Sequence, residues 1–109
     1  MSRASPRASR TTRHPGKHPY RFRLFVVGRG PNSTLALANL RRLCREHLHG
    51  RCTIETVDVV KNFAAAARDN ILVTPTLILV APLPRVVILG NLSDWPKVLL
   101  ALRLSEADA

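Results

Sequence analysis

The sequence predicts an α/β domain in which a mixed four-stranded sheet is covered by helices. Two observations carry this expectation. Strand-type and helix-type periodicity alternate through the first two-thirds of the chain, and a strand-helix-strand unit calls for parallel strands with a right-handed crossover. Two strongly apolar runs then follow each other with only Ala81-Pro82-Leu83-Pro84 between them, a connection short enough for an antiparallel hairpin.

Each element has its own reason. Tyr20 to Val27 reads as the first strand, with Phe22, Leu24 and Val26 alternating with Arg21, Arg23 and Phe25 up to Gly28. Gly28-Arg29-Gly30-Pro31-Asn32 is a turn, and Ser33 is the expected N-cap of a helix that runs to about His49. Leu37, Leu40, Cys44 and Leu48 step by three and four on its apolar side, widened by Ala36 and Leu43, while Arg41, Arg42, Arg45 and Glu46 occupy the other. Gly50 is a natural stop. Thr53 to Val60 is β-branched but keeps no single alternating phase, as a strand covered on both faces can. Asn62 to Arg68, with alanines at 64–67, favours a short helix. Leu72 to Val80 and Arg85 to Leu89 are the last two strands. Ser93 is the expected cap of a final helix that Asp94 and Pro96 suit at its start, with Trp95, Val98, Leu99 and Leu102 inward.

That order of elements is the thioredoxin order. In enzymes of that fold the chemistry sits where the first strand meets the first helix, because a helix N-terminus favours the thiolate of a cysteine placed there. Here residues 28–33 contain no cysteine, and Ser33 reads as a cap rather than a nucleophile, which would need a nearby base. Thr74-Pro75-Thr76 stands where the fold commonly has a cis proline facing that loop. Composition alone leaves cis and trans open.

A chain of 109 residues holds one small domain that buries a modest share of its surface, so association with a partner or with copies of itself is expected. The net charge of +10 would suggest nucleic acid if one folded face carried it. Half of it sits instead in residues 1–19, where Arg3, Arg7, Arg10, Arg13 and Lys17 accompany no acid. With Pro6, Pro15, Pro19 and no large apolar residue after Met1, this segment reads as a disordered basic tail, followed by a domain at 20–104 and a short tail at 105–109. Its composition also resembles a transit peptide, though the prolines spoil an amphipathic helix. No secretory apolar stretch precedes Tyr20, and the uncharged run from Ile71 to Pro84 falls short of the roughly 20 residues a membrane span needs. A soluble, cytoplasmic protein is expected. Cys44 and Cys52 are the only cysteines; they lack the paired spacing of a zinc site, and Cys44 reads as a buried structural thiol.

A closer resemblance lies in the order of short segments from Tyr20 to Leu104: the Phe25-Val26-Val27-Gly28 strand end, Pro31-Asn32-Ser33, Val57-Asp58-Val59-Val60-Lys61-Asn62, Ile71-Leu72-Val73-Thr74-Pro75-Thr76-Leu77, Gly90-Asn91-Leu92-Ser93 and Lys97-Val98-Leu99. Together these resemble the KaiB family. Phe63 stands where that family usually has a proline, the alanine run replaces a more acidic stretch, and Asn91 replaces an acidic residue.

The resemblance implies a binding protein, not an enzyme, with no cofactor, metal or catalytic residue. KaiB proteins dock on the ring of KaiC, a P-loop ATPase, help to sequester KaiA and displace a related histidine-kinase sensor domain. Carried over segment by segment, the docking surface is expected at Lys61, Asn62, Arg68 and Asp69. The family also implies a second arrangement of the half after about residue 60, seen in tetramers, so a dimer or tetramer is a further expectation; two packings within a few kcal/mol would suffice. The apolar run from Ile71 to Leu92 does not separate buried strand from buried helix. Pro75, Gly90, Asn91 and Ser93 are the expected determinants of the thioredoxin-like state. Two rival classes are a thioredoxin-like oxidoreductase and a nucleic-acid binder acting through the basic tail, the latter with a steep salt dependence.

Overall fold

A computed structural model describes residues 19–104; apart from Pro19, the expected tails at 1–19 and 105–109 lie outside the described residues. The strand Tyr20–Val26 (β1) carries apolar side chains on both faces, and the chain places partners on both. It is followed by the helix Pro31–His47 (α1), the strand Cys52–Asp58 (β2), the helix Phe63–Arg68 (α2), the strands Thr76–Ala81 (β3) and Val86–Leu89 (β4), and the helix Trp95–Ala101 (α3). The strands lie in the order β2-β1-β3-β4. β1 pairs parallel with β2, Tyr20 opposite Cys52 and Val26 opposite Asp58, and antiparallel with β3, with Phe25 opposite Thr76. β3 pairs antiparallel with β4, Thr76 opposite Leu89. This is the expected thioredoxin-like arrangement.

Alternation along the strands then sorts the core into two layers. Phe22, Leu24, Leu77, Leu79 and Ile88 pack with Ala36, Leu40 and Leu43 of α1 and Val98 and Leu99 of α3. On the opposite face Phe25, Val57 and Ile78 meet Ala65 and Ala66 of α2. Small alanines let that short helix lie close to the sheet. Phe25, expected on the polar side of its strand, is fully buried there.

Several boundaries differ from the expectation. α1 starts at Pro31 with Gly30 as its N-cap and no side-chain cap, because proline's fixed φ and missing N–H suit a first helical position. Ser33 therefore lies inside the first turn, buried, and its Oγ accepts the N–H of Val27 at 3.2 Å. The helix ends at His47 rather than His49, which has φ 55° and precedes Gly50 at φ 75°. β3 begins at Thr76, not Leu72, since Pro75 has no N–H to give a ladder. The cap of α3 is Asp94, whose carboxylate accepts the N–H of Lys97, and not Ser93. The peptide bonds before Pro75, Pro82 and Pro84 are cis.

Candidate functional site

The turn after β2 is built by one carboxylate. Asp58 accepts the N–H groups of Val60 and Gly28 through its side chain and those of Lys61 and Asn62 through its carbonyl, so the ends of β1 and β2 and the start of α2 are tied at one point. Asn62 Oδ1 accepts the N–H of Ala65 at 3.2 Å and caps α2. Lys61 and Asn62 stand exposed at the first end of that helix and Arg68 is exposed in its last turn. The six residues of α2 set these two ends about 9 Å apart on one side of the molecule.

Asp69 is placed differently. It turns back onto the sheet, where Arg23 Nη1 donates to its Oδ2 at 3.1 Å and Arg85 Nη2 lies 4.0 Å from its Oδ1. Arg23 also donates from Nε to Glu55 Oε1 at 2.9 Å. The hydrogen bond to Glu55, with that to Asp69, outweighs partial burial and holds the Arg23 guanidinium above its usual pKa. Three of the four expected docking residues therefore face solvent, while Asp69 belongs to an ion-pair network that fastens α2 to β1.

Between these polar positions the structure shows a feature the sequence reading missed. Val27, Val59, Phe63, Ala66, Ile71, Leu72, Val73 and Thr74 line an open groove of about 270 Å³. Phe63 is 75% exposed and Leu72 92%, and Val60, three residues before Phe63 in the chain, is 73% exposed. Clustered large apolar side chains in water mark an interaction surface rather than a core. The available signal was phase: Phe63 lies off the Ala65–Ala66 side of α2, and Leu72 precedes the proline that delays β3.

A second cavity, about 220 Å³, lies where β1 meets α1, lined by Val26, Gly28, Arg29, Ser33, Thr34, Leu37 and Thr56. This is the position of the thiol in thioredoxin-type enzymes. No cysteine lines it, and the Ser33 oxygen is engaged by Val27.

The four expected fold determinants come together. Pro75 accepts the N–H of Gly90 at 2.9 Å, and Asn91 Oδ1 accepts the N–H of Ser93 at 3.1 Å and bonds its hydroxyl. Asn91 also reaches α1, donating to Asn32 Oδ1 at 3.0 Å and accepting from Asn39 at 2.9 Å. Among the described residues no group of three or more His, Cys, Asp or Glu side chains could hold a metal, and no helix is long and apolar enough to cross a membrane.

Comparison with known proteins agrees with this geometry. The KaiB domain family model matches residues 23–104. The circadian clock oscillator protein KaiB of Microcystis aeruginosa is 43% identical over 81% of this chain and 85% of its own length. KaiB1 of Synechocystis is 41% identical over 83% and 86%. Among solved structures, the N-terminal domain of SasA from Synechococcus elongatus matches at a TM-score of 0.64 and 21% identity, covering 94% of this chain and 93% of that one. The Drosophila melanogaster thioredoxin Deadhead matches at 0.60 and 14%, covering 78% and 81%. The last two likenesses are likenesses of fold.

Proposed function

We infer what this protein does from a premise the comparisons establish: the chain belongs to the KaiB family. It acts as a non-enzymatic regulatory protein that docks on a KaiC-type ATPase ring, in a clock or a related timing or stress pathway. The observation that carries this reading is the exposed groove around Phe63 and Leu72, with Lys61 and Asn62 exposed immediately before Phe63 in the chain. A partner that inserts apolar side chains there removes from water surface that the chain leaves uncovered, and Lys61 selects an acidic rim. Lys61, Asn62 and Arg68 contact the ring directly. Asp69 contributes by holding α2 in place. KaiA, or the sensor domain of a histidine kinase, is a further component that the docked state recruits or displaces.

The test is co-elution of the full chain with a KaiC-type ring on gel filtration, with and without ATP. A shift of the chain into the ring's peak in at least one nucleotide state supports the reading. Separate elution in both states overturns it, and elution of the chain alone as a dimer or tetramer assigns the groove to self-association.

A further inference from the structure

Residues 20–104 hold twelve Lys and Arg against five Asp and Glu, a net charge of +7, and the fold engages all five acids locally. Glu46 pairs with Arg42, and Glu55 and Asp69 pair with Arg23. Asp58 accepts backbone N–H groups in the turn after β2, and Asp94 caps α3. Four arginines gather at one end of the molecule. Arg41, Arg42 and Arg45 stand on the exposed side of α1, in its second half, and Arg51 is exposed in the turn that follows. That turn folds back on the helix end, because Gly50 donates its N–H to the Cys44 carbonyl at 2.8 Å and Arg51 donates its own to Leu48 at 2.9 Å. Arg41 lies six residues before His47, so the three helical arginines fall within about 9 Å of that end along the axis.

The side chains of Arg41, Arg45 and Arg51 make no hydrogen bond or ion pair among the described residues. Arg42 is held in place. Its guanidinium carbon lies 4.3 Å from the centre of the Trp95 ring and its Nε donates to Glu46 Oε1 at 3.1 Å, while its two Nη groups make no hydrogen bond among the described residues.

We propose that Arg41, Arg42, Arg45 and Arg51 form a binding face for the phosphate backbone of a nucleic-acid duplex, which the basic segment at 1–19 extends. Guanidinium groups are planar forks that match phosphate oxygens, and every cation on this face is an arginine. Tyr20 donates its N–H to the Arg51 carbonyl at 2.9 Å, so the segment that carries Arg3, Arg7, Arg10, Arg13 and Lys17 joins the domain beside this face. Leu43 and Leu48, the large aliphatic residues between Arg41 and Arg51, are buried, so the face offers nothing to insert into lipid. The neighbouring aromatic, Trp95, is half-buried beneath Arg42 and gives no open platform for the unstacked bases of a single strand. Binding of this kind comes from charge neutralisation along the backbone and carries no base sequence of its own.

The site is remote from the groove. β1 begins at Tyr20 and runs seven residues, about 20 Å, before it reaches the groove end of the sheet, so the inference does not rest on the proposed partner.

The experiment titrates the full chain into a labelled DNA duplex of about 20 base pairs and follows fluorescence anisotropy between about 50 and 200 mM salt. Affinity is expected to fall with salt on a log–log slope of about −4 or steeper. Deleting residues 1–19 should make the slope shallower and leave binding measurable at the lowest salt. The double variant Arg41→Gln/Arg45→Gln, at two exposed positions, should weaken binding about tenfold and make the slope shallower by about 2, with its unfolding curve unchanged. Phe63→Ala, in the groove, should bind the duplex as the wild type does. No binding at the lowest salt overturns the proposal, as does wild-type affinity in the double variant or complete loss on deleting residues 1–19. Equally tight binding to poly-glutamate or to phosphatidylserine vesicles overturns it too, since the face would then answer to any anionic surface.

Discussion

Gly90 donates its N–H to the carbonyl of Pro75 over 2.9 Å, which closes the end of the β3–β4 pair at the point where the chain leaves for α3. Gly90 has φ 102°, a value L side chains rarely adopt, and no atom within 4 Å of where a Cβ would stand. Gly90→Ala therefore meets no clash, and its cost is backbone strain alone, about 1–3 kcal/mol. Urea unfolding checks this; an unchanged midpoint would mean that the turn relaxes freely.

The position of the cap leads to a second expectation. Asp94→Ala should destabilise the thioredoxin-like state by about 0.5–1 kcal/mol, the lower part of the capping range because its hydrogen bond to Lys97 is long, at 3.4 Å. Ser93→Ala removes only a local bond to Asn91 and should cost less. If the second arrangement expected from the family lies within a few kcal/mol, Asp94→Ala also moves the ratio of two slowly exchanging peak sets in two-dimensional NMR. A single peak set in the wild type and in Asp94→Ala would show a fixed thioredoxin-like binder.

The order of elements was legible because Arg-alternating β1, the stepped leucines of α1 and the apolar run before and after residue 80 each obey a distinct period. Boundaries were less so, since Pro31 and Pro75 act through a missing N–H that hydrophobic patterning does not register. The polar residues proposed for docking rest on resemblance to a family and on no pattern in the residues themselves. Phe63 and Leu72 were not legible, because an apolar side chain reads as core until the fold shows which face it occupies.

Lys61 and Asp69, adjacent to the same helix, should separate by experiment. Asp69→Asn weakens the pairs to Arg23 and Arg85 and is expected to lower stability by about 1 kcal/mol at low salt and less at 1 M, with the change read from unfolding curves. Lys61→Ala, at an exposed position, should leave those curves unchanged and slow association with an acidic-rimmed partner. Equal stability losses would show that Lys61 is a structural residue.

The basic segment is expected to be dispensable for the domain. Tyr20 is buried and its N–H donates to the Arg51 carbonyl at 2.9 Å, so the first strand is anchored from its first residue. Deleting residues 1–19 should leave the unfolding free energy within the roughly ±0.5 kcal/mol typical of surface changes. Calorimetry of both forms checks it, and failure of the shortened chain to fold would overturn it.

The central claim, that the groove is the docking face, is tested most directly by measuring the affinity of a KaiC-type ATPase ring for the full chain and its variants by fluorescence anisotropy, in the nucleotide state that binds. Phe63 and Leu72 are 75% and 92% exposed, so their truncation leaves the core intact. Phe63→Ala and Leu72→Ala should each weaken binding roughly tenfold or more, as central apolar contacts do, while Arg41→Ala on the exposed side of α1 should change it less than about twofold. Unchanged affinity in both groove variants, or an equal loss in Arg41→Ala, would contradict the claim.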